Sequence, residues 1–397
     1  MKAGWQTKKL GDVCEVIGGG TPSKDNAHSA FYSGDICWAT VRDMKSDLIS
    51  DTEFKITKEA VKSSSTNIIP KGSVVIATRV GLGKVCLIEH DTAINQDLRG
   101  IVPKDAGKLA VPFLFWWLKS VAHLIEREGT GATVQGVKLP FIKSLEIPTP
   151  PLSEQQRIVA ILDEAFEGIS TATANAKKNL NNARELFEST VQSVFTDKAH
   201  GWAKHTLKEM SLAFGRGKSK HRPRNDPKLY DGKYPFIQTG DIRNSNHLVT
   251  KYTQTYNEVG LAQSKLWAKG TLCITIAANI AETGILDFDS CFPDSVIGFV
   301  ADPSKSDVHF VEYLLTSFKS ILQAKGKGSA QDNINLATFE HERFPFPSVQ
   351  EQKSIVAKLD ELSTETKKLE AIYQQKLMLL TELKKSILNQ AFSGQLQ

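Results

Sequence analysis

Apolar positions recur in steps of three and four from Ile158 onward: Leu162, Ala165, Ile169, Ala172, Ala176, Leu180, Ala183, Phe187, Val191 and Val194. That spacing is the mark of a helix with one narrow apolar seam. Adding 197 to these numbers lands on a second stripe: Ile355, Leu359, Leu362, Thr366, Leu369, Tyr373, Leu377 and Leu380. One phrase opens both stripes. It reads EQQRIVAILDE at 154–164 and EQKSIVAKLDE at 351–361, identical at eight of eleven positions, so the chain is an internal repeat. Prolines close the segment before each copy, Pro148, Pro150 and Pro151 in one and Pro345 and Pro347 in the other. Ser153 and Ser348 are expected as N-caps, with Gln156 and Glu351 completing capping boxes. Each helix is expected to run about 40 residues, or about 60 Å. A rod that long with so narrow a seam is expected to pair with another. The seam is assigned to Ile158, Leu162, Ile169, Leu180, Ile355, Leu359, Leu362, Leu369 and Leu380. Helices that merely joined globular parts would need neither a shared register nor a shared opening.

Outside the rods the pattern changes to short β-branched runs. These predict strands at Val74–Ala77, Val85–Ile88 and Leu98–Val102, and again at Leu272–Ile276, Gly284–Phe288 and Val296–Val300. A helix is expected near Pro112–Arg127 and near Val308–Lys325, the second with a core seam of Phe310, Leu314, Leu315, Phe318 and Leu322. The repeat extends here too. Trp5 and Leu10 answer Trp202 and Leu207; Tyr32, Gly34, Trp38 and Asp43 answer Tyr230, Gly232, Phe236 and Asp241; Lys71-Gly72 answers Lys269-Gly270. The fold class is therefore α/β plus a long-helix coiled coil: two mixed α/β domains separated by two long helices. The expected boundaries are 1–150 and 199–347 for the domains, and 151–198 and 348–397 for the helices. The domains diverge far more than the helices, as one fold doing two different jobs would.

Composition narrows the function. No apolar segment is long enough to span a bilayer, and basic Met1–Leu10 lacks the apolar centre of a signal peptide. Cys14, Cys37, Cys86, Cys273 and Cys291 form no paired or metal-binding spacing, and an odd count fits a reducing cytoplasm. The net charge of +5 points mildly to a polyanionic partner. Catalytic signatures are missing. The nine histidines are dispersed, and there is no HExxH, no phosphate loop of the GxxxxGK[ST] form and no Asn-Pro-Pro-aromatic stretch of an amino-methylating enzyme. Gly18-Gly19-Gly20 lacks the strand–turn–helix setting of a dinucleotide site. Asp43 and Asp241 recur at matching positions and read as turn caps rather than as acids or bases. No catalytic and no metal-ligating residue is assigned.

What remains suits nucleic acid. GRGKSKHRPR at 215–224 carries Arg216, Lys218, Lys220, Arg222 and Arg224 beside glycines that allow close approach to a phosphate backbone. The equivalent place in the first copy, GGGTPSK, offers Thr21, Ser23 and Lys24 as polar readers. A second pair of loops supplies Gln135 and Lys138, and Lys327, Gln331, Asn333 and Asn335; the amides of Gln135, Gln331, Asn333 and Asn335 suit adenine edges. Lys84 is a further DNA-binding candidate, and Arg42, Arg79, Arg99 and Arg243 are candidate guanine readers. For each arginine the plain alternative is a surface ion pair.

These residues carry a resemblance. GGGTPSK with the Trp38–Asp43 stretch, the two Glu-Gln to Leu-Asp-Glu phrases and the closing LKKSILNQAFSGQL at 383–396 are similar to the DNA specificity subunits of type I restriction-modification systems, over essentially the whole chain. The resemblance implies two target recognition domains, each reading half of a split site in double-stranded DNA. It implies antiparallel rods acting as a ruler and a pseudo-twofold arrangement of the domains. The implied partners are two methyltransferase subunits, which carry S-adenosylmethionine and flip an adenine, and translocating restriction subunits. The chain itself would hold no cofactor and no activity. One departure is that the second domain has GRGKSKHRP where the first has Gly-Gly-Thr-Pro-Ser, which leaves that loop's conformation open. The rival readings are a fused methyltransferase or nuclease, for which motifs and spare length are missing, and a coiled-coil adaptor with no DNA role.

Overall fold

The computed structural model describes residues 5–23, 30–129, 136–196, 199, 201–277, 280–326, 339 and 341–396. It divides into two compact units, one of Met1–Lys177 with Gln375–Gln397 and one of Lys178–Gln374. Each contains a five-stranded sheet, a four-stranded sheet and a two-stranded ribbon, and the two units match strand for strand.

In the first unit the five-stranded sheet runs, in spatial order, Cys14–Gly18, Leu98–Pro103, Val74–Ala77, Val85–Ile88 and Leu48–Ile49. The second unit repeats it as Ser211–Arg216, Val296–Ala301, Leu272–Thr275, Thr283–Leu286 and Leu248–Val249. In both, the last-named edge strand pairs in parallel with its neighbour and the remaining pairings are antiparallel. The six strands expected from β-branched runs are all present, within two residues at their ends. The four-stranded sheets, Phe54–Ile56, Ile36–Ala39, Thr92–Ile94 and Asn67–Ile69 in one unit and Gln254–Tyr256, Tyr230–Phe236, Ser290–Cys291 and Leu266–Trp267 in the other, carry no such runs. The expected domain helices span Val111–Glu128 and Val308–Gly326. They bury Phe113, Leu114, Trp117 and Leu118 in the first unit and Phe310, Leu314, Leu315 and Leu322 in the second, while Phe318 packs at the margin.

The rods are helices of 45 residues each, Leu152–Thr196 and Val349–Ser393, each about 68 Å long. Each contributes one part of its length to each unit. Within a unit the two segments run antiparallel. In the first, Arg157 donates to the Leu396 carbonyl at 3.1 Å, and Lys384 stands 5.9 Å from the Phe166 ring. In the second, Arg184 pairs with Glu370 at 2.8 Å, while Val191 and Val194 share a core cluster with Val356 and Leu359.

Ile158, Leu162, Ile169 and Leu359 are buried, and Leu180, Ile355, Leu362 and Leu380 are half-buried. Leu369 is 39% exposed. From Leu362 the seam steps by four to buried Thr366 and on to half-buried Glu370, so Leu369 falls to one side. The helix starts are not equivalent either. Ser348 caps the second rod, its hydroxyl accepting from the Glu351 N–H at 3.3 Å. The first rod begins at Leu152, so Ser153 lies inside its first turn and is no cap. There the Pro151 carbonyl accepts from the Glu154 and Gln155 N–H groups.

The repeated phrase has a structural cause: it joins rod to domain. Fully buried Gln155 accepts from the Ala110 N–H at 2.9 Å and donates to the carbonyls of Lys108 and Pro150. Fully buried Gln352 accepts from the Asp307 N–H at 2.8 Å and donates to the carbonyls of Lys305 and Pro347. Two turns further on, Asp163 accepts from the Trp116 indole at 2.8 Å, and Asp360 accepts from the Tyr313 hydroxyl. A buried amide that lost these partners would leave orphaned groups at about 1–3 kcal/mol each, which explains why Gln and Asp recur where a leucine would serve packing alone.

Candidate nucleic-acid interface

One glycine sets the site in each unit. The strand Cys14–Gly18 ends with Gly18 opposite Arg99, and the chain leaves the sheet at Gly19. A Cβ there would stand 2.2 Å from the carbonyl oxygens of Ile94 and Asn95, so only glycine fits. In the second unit the strand Ser211–Arg216 ends opposite Ile297, and a Cβ on Gly217 would stand 2.2 Å from the Phe292 carbonyl oxygen. The loops GGGTPSK and GRGKSKHRPR thus leave their sheets by the same backbone route, although their sequences share little. Next to each, an aspartate caps a short turn. Asp43 accepts from the Thr40 N–H at 2.7 Å, and Asp241 accepts from the Gln238 N–H at 2.8 Å. Both are caps, as their matching positions predicted.

In the first unit several chain segments meet beside Gly19. The Thr21 hydroxyl donates to the Gln96 side chain. Arg79 lies 3.6 Å from Asp97, which in turn accepts from Asn95. Val137 N–H donates to the Thr78 carbonyl at 2.8 Å, which brings exposed Lys138 alongside. Exposed Lys84 reaches the Met44 carbonyl, near exposed Arg42, whose own partner Glu53 is 3.8 Å away. Arg99 differs from the other arginines. It is half-buried, and its Nη1 donates to the carbonyls of Gln96 at 2.8 Å and Leu98 at 2.6 Å. Burial first, and the charge of Arg79 second, hold its pKa below the ordinary arginine value. Arg99 therefore braces the corner from beneath. Thr21, Ser23 and Arg79 form its exposed face.

In the second unit the basic loop is tied down along its length. Ser264 donates to the Lys218 carbonyl, Gln263 accepts from the His221 N–H, and the Tyr230 hydroxyl donates to the Arg224 carbonyl at 2.6 Å. The His221 ring lies 2.8 Å from Asp226, whose pKa is lowered by the Lys228 N–H first and by His221 second. Arg222 spends its Nη1 on the carbonyls of Ser219 and His221. Arg224 points its Nη2 at both carboxylate oxygens of Asp294, at 2.7 and 2.9 Å. Arg216, Lys218, Lys220 and Arg243 are exposed. Arg224 lines the mouth of a 240 Å³ cavity together with Gln238 and Gln254, whose amides bond each other at 2.6 Å. Lys24, Gln135, Lys327, Gln331, Asn333 and Asn335 lie outside the described residues.

Sequence reasoning missed Gln96, Asp294, Gln238 and Gln254. A signal existed for the first two, because they stand 198 apart, at the offset that relates the other matched pairs of the sheets. The five cysteines are free, and burial pushes the thiols of Cys14 and Cys86 up to about 12 and about 11. No helix among the described residues is long and apolar enough to cross a membrane.

Each unit thus presents basic and amide-bearing side chains on a braced corner, a chemistry suited to phosphates and base edges. The family model "Type I restriction modification DNA specificity domain" matches residues 2–182 and 200–377, once for each copy of the repeat. The chain belongs to this specificity family. Among its relatives, the MjaIX specificity subunit of Methanocaldococcus jannaschii is 34% identical over 161 residues, 40% of this chain and 37% of that protein. The EcoR124I/EcoR124II specificity subunit of Escherichia coli is 37% identical over 190 residues, 46% of each chain. The aligned stretches therefore span less than half the length of these two relatives. Two solved structures share the fold. A chain from a study of complex assembly and conformational transition in the type I restriction-modification system matches with a TM-score of 0.79 at 19% identity, covering 100% of this chain and 99% of that one. The HsdS subunit of Thermoanaerobacter tengcongensis matches with a TM-score of 0.67 at 20% identity, covering 100% and 98%.

Proposed function

We propose that this member of the specificity family is the DNA-reading subunit of a type I restriction-modification complex. The sheet domains at 1–150 and 199–347 each read one half of a bipartite site in double-stranded DNA. The helices at 151–198 and 348–397 fix the spacer between the halves. One observation carries the reading: the two loops share a glycine exit and an aspartate-capped neighbour, yet present different polar side chains. A frame kept constant while its tips change is what reading two different sequences requires.

The chain contributes recognition rather than chemistry. Two methyltransferase subunits bring S-adenosylmethionine, restriction subunits complete the assembly, and the complex works in the cytoplasm. Leu379 and Leu383 stand exposed one turn apart on the second rod, which supports docking of the methyltransferase there.

The test is methyl transfer to DNA by the purified chain with S-adenosylmethionine, before and after its partner methyltransferase is added. Transfer is expected only after addition, and mapping of the modified adenines then returns two half-sites at one fixed spacing. Transfer by the chain alone, or a single contiguous site, overturns the reading.

A further inference from the structure

We propose that Gln96 and Asp294 are positioning residues for base recognition, each orienting the reading side chain of its own domain; this rests on the function proposed above. The two positions are repeat equivalents, 198 apart, in the turns that follow the strands Thr92–Ile94 and Ser290–Cys291. Those turns belong to the segments that Gly19 and Gly217 approach most closely, at Ile94 and Asn95 and at Phe292 and Pro293. In both units the side chain at this position accepts from the glycine-rich loop. Gln96 accepts from the Thr21 hydroxyl, and Asp294 accepts from Arg224 through both oxygens. The geometry is shared while the chemistry differs, an amide in one domain and a carboxylate in the other.

The Asp294–Arg224 pair is open to solvent, with the side chains 40% and 48% exposed. An ion pair this exposed adds little to stability, so its geometry has another use. Only Nη2 of Arg224 faces the carboxylate, while Nε and Nη1 stay outside the pair. An arginine anchored through Nη2 keeps the donors on Nε and Nη1, either of which can reach a single acceptor on a base edge. The carboxylate beside it suits the amino group of cytosine. The second half-site is therefore assigned, opposite Arg224, a base pair that sets a major-groove acceptor beside an amino group. In the first domain Gln96 is held through its side-chain oxygen.

The experiment compares the wild-type chain with Asp294→Asn and Asp294→Gln, each in complex with the methyltransferase subunits, by selection of bound sites from randomised DNA. The expected result is a relaxation at one base pair of the second half-site by roughly tenfold to a hundredfold, with the first half-site and the spacer unchanged. Gln96→Ala is expected to relax one base pair of the first half-site only. The untouched half-site and spacer report that each variant is folded. Full wild-type preference at every position of the second half-site in both Asp294 variants overturns the proposal, as does equal weakening across both halves, which would mark a general electrostatic role. A wild-type complex that selects no bipartite site overturns the underlying function, and this proposal with it.

Discussion

At the scale of single residues, the site depends on positions where no side chain fits. A methyl group on Gly217 would meet two backbone carbonyl oxygens at 2.2 and 2.4 Å, and neither can move without the turn that carries Asp294. Gly217→Ala is therefore expected to displace the basic loop and lower affinity for the full site at least tenfold, while Gly215→Ala, where a Cβ meets nothing within 4 Å, changes little. Electrophoretic mobility shift of the two complexes checks this. The need for Gly19 and Gly217 was invisible in the sequence, because the atoms that forbid a Cβ come from chain about 75 residues away. The arginines were legible as basic, but their roles were not. Arg99 and Arg222 are occupied by their own neighbourhood's carbonyls, and Arg224 by a carboxylate 70 residues away.

At the scale of elements, the rods were the most legible part of the chain, because a 3.6-residue period sustained over eleven turns leaves little ambiguity. The five-stranded sheets were partly legible through their buried β-branched runs. The four-stranded sheets were not, since strands as short as Leu266–Trp267 and Ser290–Cys291 carry no period. Small side chains fill several buried positions along the rods, among them Ala176, Ala183, Ser363 and Thr366. Removing four residues within Lys177–Asn182 shortens the first rod by about 6 Å while turning the seam by only about 40°. The expected outcome is a changed spacer or lost binding with both half-site identities kept, read by site selection. A variant that keeps the original spacer counts against the ruler.

At the scale of the whole molecule, a net charge of +5 hides a local concentration, since five of the basic side chains sit within residues 216–224. Each phosphate neutralised steepens the salt dependence of binding by about 0.9 in log–log slope. Lys220→Ala is expected to flatten that slope by about one without altering base preference, as titrations at several salt concentrations will check. The buried glutamine and aspartate joints carry a wider consequence. Gln155 and Gln352 engage backbone groups alone, and the aspartates take an indole donor in one half and a phenol in the other. The socket at the root of each rod thus asks almost nothing of the particular plug. A foreign sheet domain that offers the same backbone grip and any aromatic donor can be seated there, so that one half of the address is rewritten while the other is left intact.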